Sequence, residues 1–171
     1  MIARKETGVT DATERDALLA SLAAQREHVL DSLQGLTEAE LRRAVLPSGW
    51  TCLGLVQHLT LDVERFWFRA VVAGEQVELA TGDAAWQVEP STPASYVLDA
   101  YREEIRLCDD VLAATALDAR PAWWPTEIFA DLPERYLRAT VLHVLTETAC
   151  HAGHLDAARE LIDGRQHLVL T

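Results

Sequence analysis

The segment from Glu134 to Ile162 reads ERYLRATVLHVLTETACHAGHLDAARELI, and its residue pattern predicts one long helix. Pro133 stands directly before it and Gly164 shortly after it, and these residue types are typical of helix starts and helix ends. Because a helix turns by roughly 100° per residue, Leu145 and Ala149 fall on one side of the segment and its polar residues on the other. We therefore expect a helix with one edge facing either solvent or a polar cavity.

The polar edge of this helix carries one glutamate and three histidines, namely His143, Glu147, His151 and His154. Glu147 and His151 are four residues apart, and they are therefore neighbours on consecutive turns of the helix. Such a pair can place one oxygen and one nitrogen about 2 Å from a single ion, the distance that divalent zinc requires. A solvated pair of side chains is the alternative interpretation of the same spacing.

A third ligand has to come from another segment, and His58 is the candidate. It lies within LVQHL in the middle of an otherwise apolar helical pattern. An unpaired imidazole buried there would cost about 1–3 kcal/mol, a cost that a metal ion removes. His58, Glu147 and His151 would form a two-histidine, one-carboxylate set with open coordination positions, as in catalytic metal sites. A hydrogen bond from His58 to a backbone carbonyl or a neighbouring side chain is the alternative.

Three further stretches have apolar residues at helical spacing, and they run over Asp11–Leu33, Thr51–Val72 and from Ser91 or Thr92 to Ala116. The candidate N-cap of the first helix is Thr10 or Asp11, and that of the second long helix is Thr51. Thr37 is the candidate N-cap of a short helical turn. Pro93 is expected in the first turn of the third long helix. The connections 75–90 and 117–133 are long for a bundle, and long loops are often functional. We predict an all-α protein, a four-helix bundle with long crossover loops, as a single domain over residues 1–171.

The composition excludes several classes of partner. Lysine and arginine number 15 against 27 aspartates and glutamates, which gives a formal net charge of −12. An acidic surface repels phosphate backbones and anionic lipids, so we expect neither nucleic-acid nor membrane binding. No apolar run is long enough to span a membrane, and the first residues lack the apolar core of a signal peptide. With only three cysteines, none of them clustered, we expect a cytoplasmic protein.

Other side chains in these segments have more than one interpretation. His154 could act as a general acid–base or be an exposed helix histidine. Asp62, one turn after His58, could orient a ligand imidazole or lie on the surface. His143 is expected to be a satisfied or exposed histidine. The Trp123-Trp124 pair, in a loop with flanking prolines, could form a lid, a substrate wall or a dimer contact.

Four short motifs occur in an order and spacing that are fairly specific. They are Pro47-Ser-Gly-Trp50-Thr, Leu55-Val-Gln-His58-Leu, Glu64-Arg-Phe-Trp67-Phe and Glu147-Thr-Ala-Cys-His151-Ala-Gly-His154-Leu-Asp156. Over nearly the whole chain they resemble the DinB-like superfamily. Within it, the chain is similar to the branch of mycothiol-dependent maleylpyruvate isomerase and related actinobacterial-type proteins.

This resemblance implies a divalent metal between the second and fourth helices, with His58, Glu147 and His151 as its ligands by position. It also implies a low-molecular-weight thiol such as mycothiol as co-substrate, and a homodimer. Zinc is the expected ion, although nickel, iron and manganese accept similar ligands. Cys150 departs from the family pattern, which often has arginine there, and this departure puts a carboxylate substrate in doubt. We interpret Cys150 as a small apolar packing residue.

The resulting hypothesis is a divalent-metal-dependent thiol S-transferase or thiol-dependent isomerase that acts on a small electrophile. The ligands are those given above, and His154 would assist proton transfer. Two alternatives keep the same bundle. One is a metal-dependent hydrolase, and the other is a non-catalytic metal- or ligand-binding dimer of the stress response.

Overall fold

The computed structural model describes residues 11–130 and 132–167, and these residues form helices and connections without any strand. The α-helices are α1 (Asp11–Leu33), α2 (Glu38–Leu41), α3 (Cys52–His58), α4 (Ala94–Ala114), α5 (Thr126–Phe129) and α6 (Leu137–Asp163). A π-helix, here called the π segment (Leu59–Val72), continues α3, and a 3₁₀ turn spans Gly82–Ala85. The all-α prediction is therefore confirmed. None of the described helices is both long and apolar enough to cross a membrane.

The long helical segments pack around one apolar core. α1 lies mainly against α6, and α4 lies mainly against the π segment, which also contacts α6. Each contributes fully buried side chains, among them Leu22 from α1, Phe68 from the π segment, Tyr101 from α4 and Val144 from α6. Removal of such apolar surface from water is the main favourable term in folding.

Several predicted helix ends are confirmed, because local side-chain chemistry determines them. The Thr37 hydroxyl accepts from the backbone N–H of Glu40, whose carboxylate accepts in return from the N–H of Thr37. The Thr51 hydroxyl likewise accepts from the N–H of Gly54 at the start of α3. Gly164 ends α6 in the left-handed conformation, with φ of 78°.

The second helix reaches Val72 as predicted, but it is not a single α-helix. After His58 its hydrogen bonds shift to the i→i+5 pattern, as in the bond from the Ala73 N–H to the Phe68 carbonyl at 3.0 Å. π-helices are rare and are often found at functional sites. The change of helix type therefore occurs directly after the candidate ligand His58.

The predicted start of the fourth helix was wrong by three residues, since α6 begins at Leu137 and not at Glu134. Tyr136 has extended backbone, and the N–H groups of Leu137 and Arg138 donate to the carbonyls of Ala119 and Leu117. These bonds tie the entry of α6 to the preceding connection, which prevents an earlier start.

The predicted bounds of the third helix also need correction. Pro93 is the extended residue before α4, whereas it was expected in the first turn. The carboxylate of Glu38 accepts from the N–H of Ala94 and thereby fixes the start there. Thr115 is extended, so the helix ends at Ala114. The candidate N-cap Thr10 and the tail 168–171 lie outside the described residues.

Candidate functional site

Three histidines from two separate segments meet where α3 passes α6. The ring centroids of His58 and His151 are 5.1 Å apart in an edge-on arrangement. His151 Nδ1 lies 3.4 Å from His154 Nδ1, and His151 Nε2 lies 3.8 Å from a carboxylate oxygen of Glu147. The structure therefore brings together all four side chains that the sequence nominated for metal binding and proton transfer.

The ring of His58 is held by a carboxylate one turn further along the helix. His58 Nδ1 lies 2.9 Å from Asp62 Oδ2, and the imidazole is largely buried, with 15% of its side chain exposed. A hydrogen bond of this kind places the proton on Nδ1 and leaves Nε2 with its lone pair available. The interpretation of Asp62 as an orienting residue thus agrees with the structure.

Trp86 covers one face of His58, and the sequence analysis missed it. The two rings stack with centroids 4.1 Å apart, and Trp86 also lies 5.9 Å from the ring of His151. Gly54 permits this contact because a Cβ there would come within 2.4 Å of the Trp86 carbonyl oxygen. The Gln57 amide donates to the carbonyls of Ala84 and Gln87 and anchors the same loop. A glycine inside an apolar helix was the signal that something packs closely there.

The electrostatics of the cluster favour a neutral imidazole at His151. Burial, together with the nearby imidazoles of His58 and His154, lowers the pKa of His151 to about 4. Burial and the neighbouring Arg135 guanidinium likewise lower the pKa of His143. His151 is therefore neutral at physiological pH, which is the form that binds metal ions.

The donor atoms of the cluster are more widely spread than in a closed metal site. Among the described residues, the group with three metal-ligating atoms all within 4.8 Å of one another is His28, Asp156 and His167, which lies elsewhere in the fold. Glu147 has 40% of its side chain exposed, against 13% for His151. Its carboxylate must turn inward if it is to share an ion with His58 and His151.

Three other nominated residues lie outside the histidine cluster. His143 packs edge-on against Trp67 at 4.7 Å and is partly buried. Cys150 is exposed, so its interpretation as a packing residue was wrong; it points away from the core side of α6. Trp124 is partly buried and packs against Phe129, with ring centroids 5.0 Å apart.

An aromatic cavity begins beside Trp67, and we call it the Trp67 cavity. It measures about 370 Å³ and is lined by Trp67, Trp124, Phe129, Leu132, Pro133, Glu134, Arg135, Tyr136 and Ala139. A neighbouring depression on the far side of Trp67 and Phe129 includes Asp62, the hydrogen-bond partner of His58. The two depressions share Trp67 and Phe129 as walls, and the second one includes a residue that contacts the histidine cluster.

Two cavity-lining residues each have a buried side-chain nitrogen without a hydrogen-bond partner. These nitrogens are the indole Nε1 of Trp124 and Nη1 of Arg135, whose guanidinium lies 4.9 Å from the centre of the Trp67 ring. Unpaired buried donors are uncommon in folded proteins. Sequence reasoning did not find Arg135, because nothing local marks it among the charged residues at the helix start.

The loop that carries Trp124 is fixed to the π segment. The N–H groups of Ala122 and Trp123 donate to the carbonyls of Val72 and Val71 at 3.1 Å. These bonds hold the loop in place, so they favour a substrate wall or a dimer contact over a mobile lid. Trp123 itself is 37% exposed, on the outer side of the same wall.

Comparison with known proteins identifies the family of this chain. No curated protein and no solved structure matched the chain. The family model described as mycothiol-S-transferase matches residues 17–164, a range that includes the histidine cluster and the Trp67 cavity. The match confirms the DinB-like, mycothiol-related resemblance that the sequence motifs indicated. The chain therefore belongs to the mycothiol S-transferase family.

Proposed function

We propose that this protein is a divalent-metal-dependent thiol S-transferase, which joins a low-molecular-weight thiol of the mycothiol type to a small electrophile. The main support for the proposal is the cluster of His58, His151 and His154, with Glu147 beside it. The imidazole at its centre, that of His151, is neutral at physiological pH. An isomerase that uses the same thiol adduct would need the same groups.

The donor set fits a divalent ion. His58, Glu147 and His151 would hold it, with zinc as the expected ion and nickel, iron or manganese compatible with the same ligands. When bound, such an ion lowers the pKa of a thiol from about 8.5 and so increases the thiolate fraction at neutral pH. The buried, neutral imidazole of His151 and the fixed tautomer of His58 are the features of this chain that suit that role.

The chain's own residues supply proton transfer and exclusion of water. In a substitution on an aryl halide, the thiol proton passes to His154, a bond forms between sulfur and carbon, and halide leaves with the bonding electron pair. His154 is exposed and sits 3.4 Å from His151, at the rim of the cluster. Trp86, stacked on His58, covers the opposite side of the site.

The Trp67 cavity is the region we assign to the electrophile. Its aromatic walls suit a planar group, and the unpaired Nη1 of Arg135 suits an anionic substituent on that group. Related proteins often have an arginine where this chain has Cys150. Arg135 would supply a cation from a different position. We infer that the preferred electrophile is a planar molecule carrying a carboxylate or a similar anion.

The direct test is a thiol-transfer assay with the untagged, zinc-loaded protein. Mycothiol and 4-chloro-3,5-dinitrobenzoate are mixed with enzyme, and thioether and chloride are quantified with and without thiol. Formation of the thioether above the uncatalysed rate supports the proposal. Release of chloride without thiol would indicate hydrolysis, and no turnover with any thiol would leave a binding protein.

Replacing Asp62 with asparagine is expected to weaken zinc binding by about 10–100-fold, because the carboxylate that orients His58 is lost. Titration with a competing chelator measures this affinity. Asp110→Asn, on the exposed side of α4, is the control and should bind zinc like the wild type. Equal affinity of the Asp62 variant and the wild type would show that the Asp62 carboxylate does not support metal binding.

Replacing Arg135 with methionine is expected to raise KM for 4-chloro-3,5-dinitrobenzoate about tenfold, or about 1.4 kcal/mol in binding. The KM for the uncharged 1-chloro-2,4-dinitrobenzene should stay nearly the same, because this substrate has no carboxylate for the guanidinium to bind. Arg106→Met removes an exposed charge from α4 and serves as the control for net charge. An equal rise for both substrates would contradict an anion-binding role.

We also propose a cytoplasmic homodimer, on the family resemblance alone. Sedimentation velocity of the purified chain would reveal the oligomeric state.

A further inference from the structure

We propose that His28, Asp156 and His167 form a second divalent-cation site, separate from the histidine cluster, for a transition-metal ion such as Zn²⁺. This site does not depend on the proposed transferase activity. It would fasten the C-terminal end of the described chain to the bundle.

The three side chains come from three different parts of the fold. His28 lies on α1, Asp156 on α6, and His167 in the segment after α6. One donor atom from each lies within 4.8 Å of the other two. Donor atoms bound to one tetrahedral zinc ion are about 3.3 Å apart, so shifts on the order of 1 Å would close the site.

The arrangement around Asp156 resembles the surroundings of a metal-binding carboxylate. Its two oxygens are both 2.9 Å from His28 Nε2, and Oδ1 also accepts from the Ser32 hydroxyl at 3.0 Å. The Ser32 bond fixes the orientation of the carboxylate, as supporting hydrogen bonds do around metal ligands. Both partners are sheltered, with 18% of the His28 side chain and 29% of the Asp156 side chain exposed.

His167 is the group that a simple histidine–aspartate pair leaves unexplained. Its ring stacks on His28, with centroids 3.8 Å apart and planes 18° from parallel. This stacking brings a second imidazole nitrogen to the carboxylate that His28 already contacts. Two imidazoles and one carboxylate are the ligand types that zinc accepts, and they leave a position for water or another small ligand.

The neighbouring arginine on α6 does not oppose this site. Arg159, one turn after Asp156, is paired with Asp163 at 2.8 Å and donates to the carbonyls of Ser32 and Gln34. Its charge is therefore compensated by a carboxylate outside the proposed ligand set.

The two candidate sites use different faces of α6. Asp156 follows His151 by five residues, which at roughly 100° per residue places it about 140° further round the helix. His151 faces His58, whereas Asp156 faces α1. Binding at one site can therefore be removed without touching a ligand of the other.

The test is the zinc content of untagged protein, measured by elemental analysis after loading and gel filtration. The proteins compared are the wild type, His28→Ala, His167→Ala, His151→Ala and the control His143→Ala. We expect two equivalents in the wild type and in the control, and one equivalent in each of the other three variants. His167→Ala changes a residue outside the helices, so it tests the site even if His28→Ala unfolds.

Which variants lose zinc distinguishes a failure of this proposal from a failure of the proposed function. Loss of zinc in His28→Ala and His167→Ala, with no loss of zinc in His151→Ala, would support the second site and contradict a metal at the histidine cluster. Loss in His151→Ala alone, with full zinc in His167→Ala, would overturn the second site. Cobalt substitution adds a readout independent of activity, because its visible absorption should fall by about half in His167→Ala and change little in His143→Ala.

Discussion

Replacing His151 with alanine is expected to lower thiol transfer at least 100-fold while the helical circular dichroism spectrum stays that of the wild type. His151 stands at the centre of the cluster, between His58, Glu147 and His154, and no other described side chain replaces its contacts there. Loss of a supporting residue alone costs 10–100-fold in affinity or activity at metal sites, so loss of a ligand costs more. Its side chain is 13% exposed but lies outside the apolar core, so truncation should leave that core intact.

The comparison that makes this result decisive uses a neighbouring histidine. His143 lies two turns earlier on the same helix, also partly buried, but against Trp67 and not in the cluster. We expect His143→Ala to retain activity within a few fold, and His58→Ala to lose it as His151→Ala does. If His151→Ala and His143→Ala had the same activity, the metal-dependent mechanism would be excluded.

Replacing Glu64 with alanine is expected to reduce the free energy of unfolding by about 3–5 kcal/mol, the usual cost of leaving one buried charge unpaired. Glu64 is fully buried in the π segment, and both its oxygens accept from Arg26 of α1, at 2.7 and 2.6 Å. Arg26 is 4% exposed, and its other carboxylate partner is Asp109, at 2.8 Å. Removal of Glu64 therefore leaves a guanidinium in the core with half its partners.

Urea unfolding of the two proteins, followed by circular dichroism, measures the difference. The control is Glu103→Ala, which removes the partner of Arg106 in an exposed pair on α4 and should leave the unfolding midpoint unchanged. The double variant Arg26→Met/Glu64→Leu should recover most of the lost stability, because it removes both charges and keeps apolar volume. An unaltered midpoint in Glu64→Ala would mean that water reaches Arg26 in the core.

Local sequence predicted the helices well where side chains next to the helix end form the cap. Asp11–Leu33 agrees at its C-terminal end, and Thr37, Thr51 and Gly164 act as the sequence indicated. The start of α6 failed, because its first N–H groups bond to carbonyls of Leu117 and Ala119, residues of the preceding connection. No periodicity within α6 contains that information.

For the site, spacing on one helix placed Glu147 and His151 together, and the position of His58 within an apolar helical pattern made it the candidate for the third ligand. Only the tertiary structure shows that His58 lies beside His151, since α3 and α6 are separated by several other helical segments along the chain. The same is true of Trp86, which depends on the absence of a side chain at Gly54.

What the sequence carries by itself is the set of helices, the acidic surface and the residue types available for chemistry. These follow from propensity, periodicity and charge, which act between near neighbours along the chain. The burial of Glu64 with Arg26, the unpaired Nη1 of Arg135 and the meeting of His28 with His167 came only with the folded structure. Each of these joins segments far apart in sequence, and the packing of whole helices, not the local pattern, determines which side chains meet.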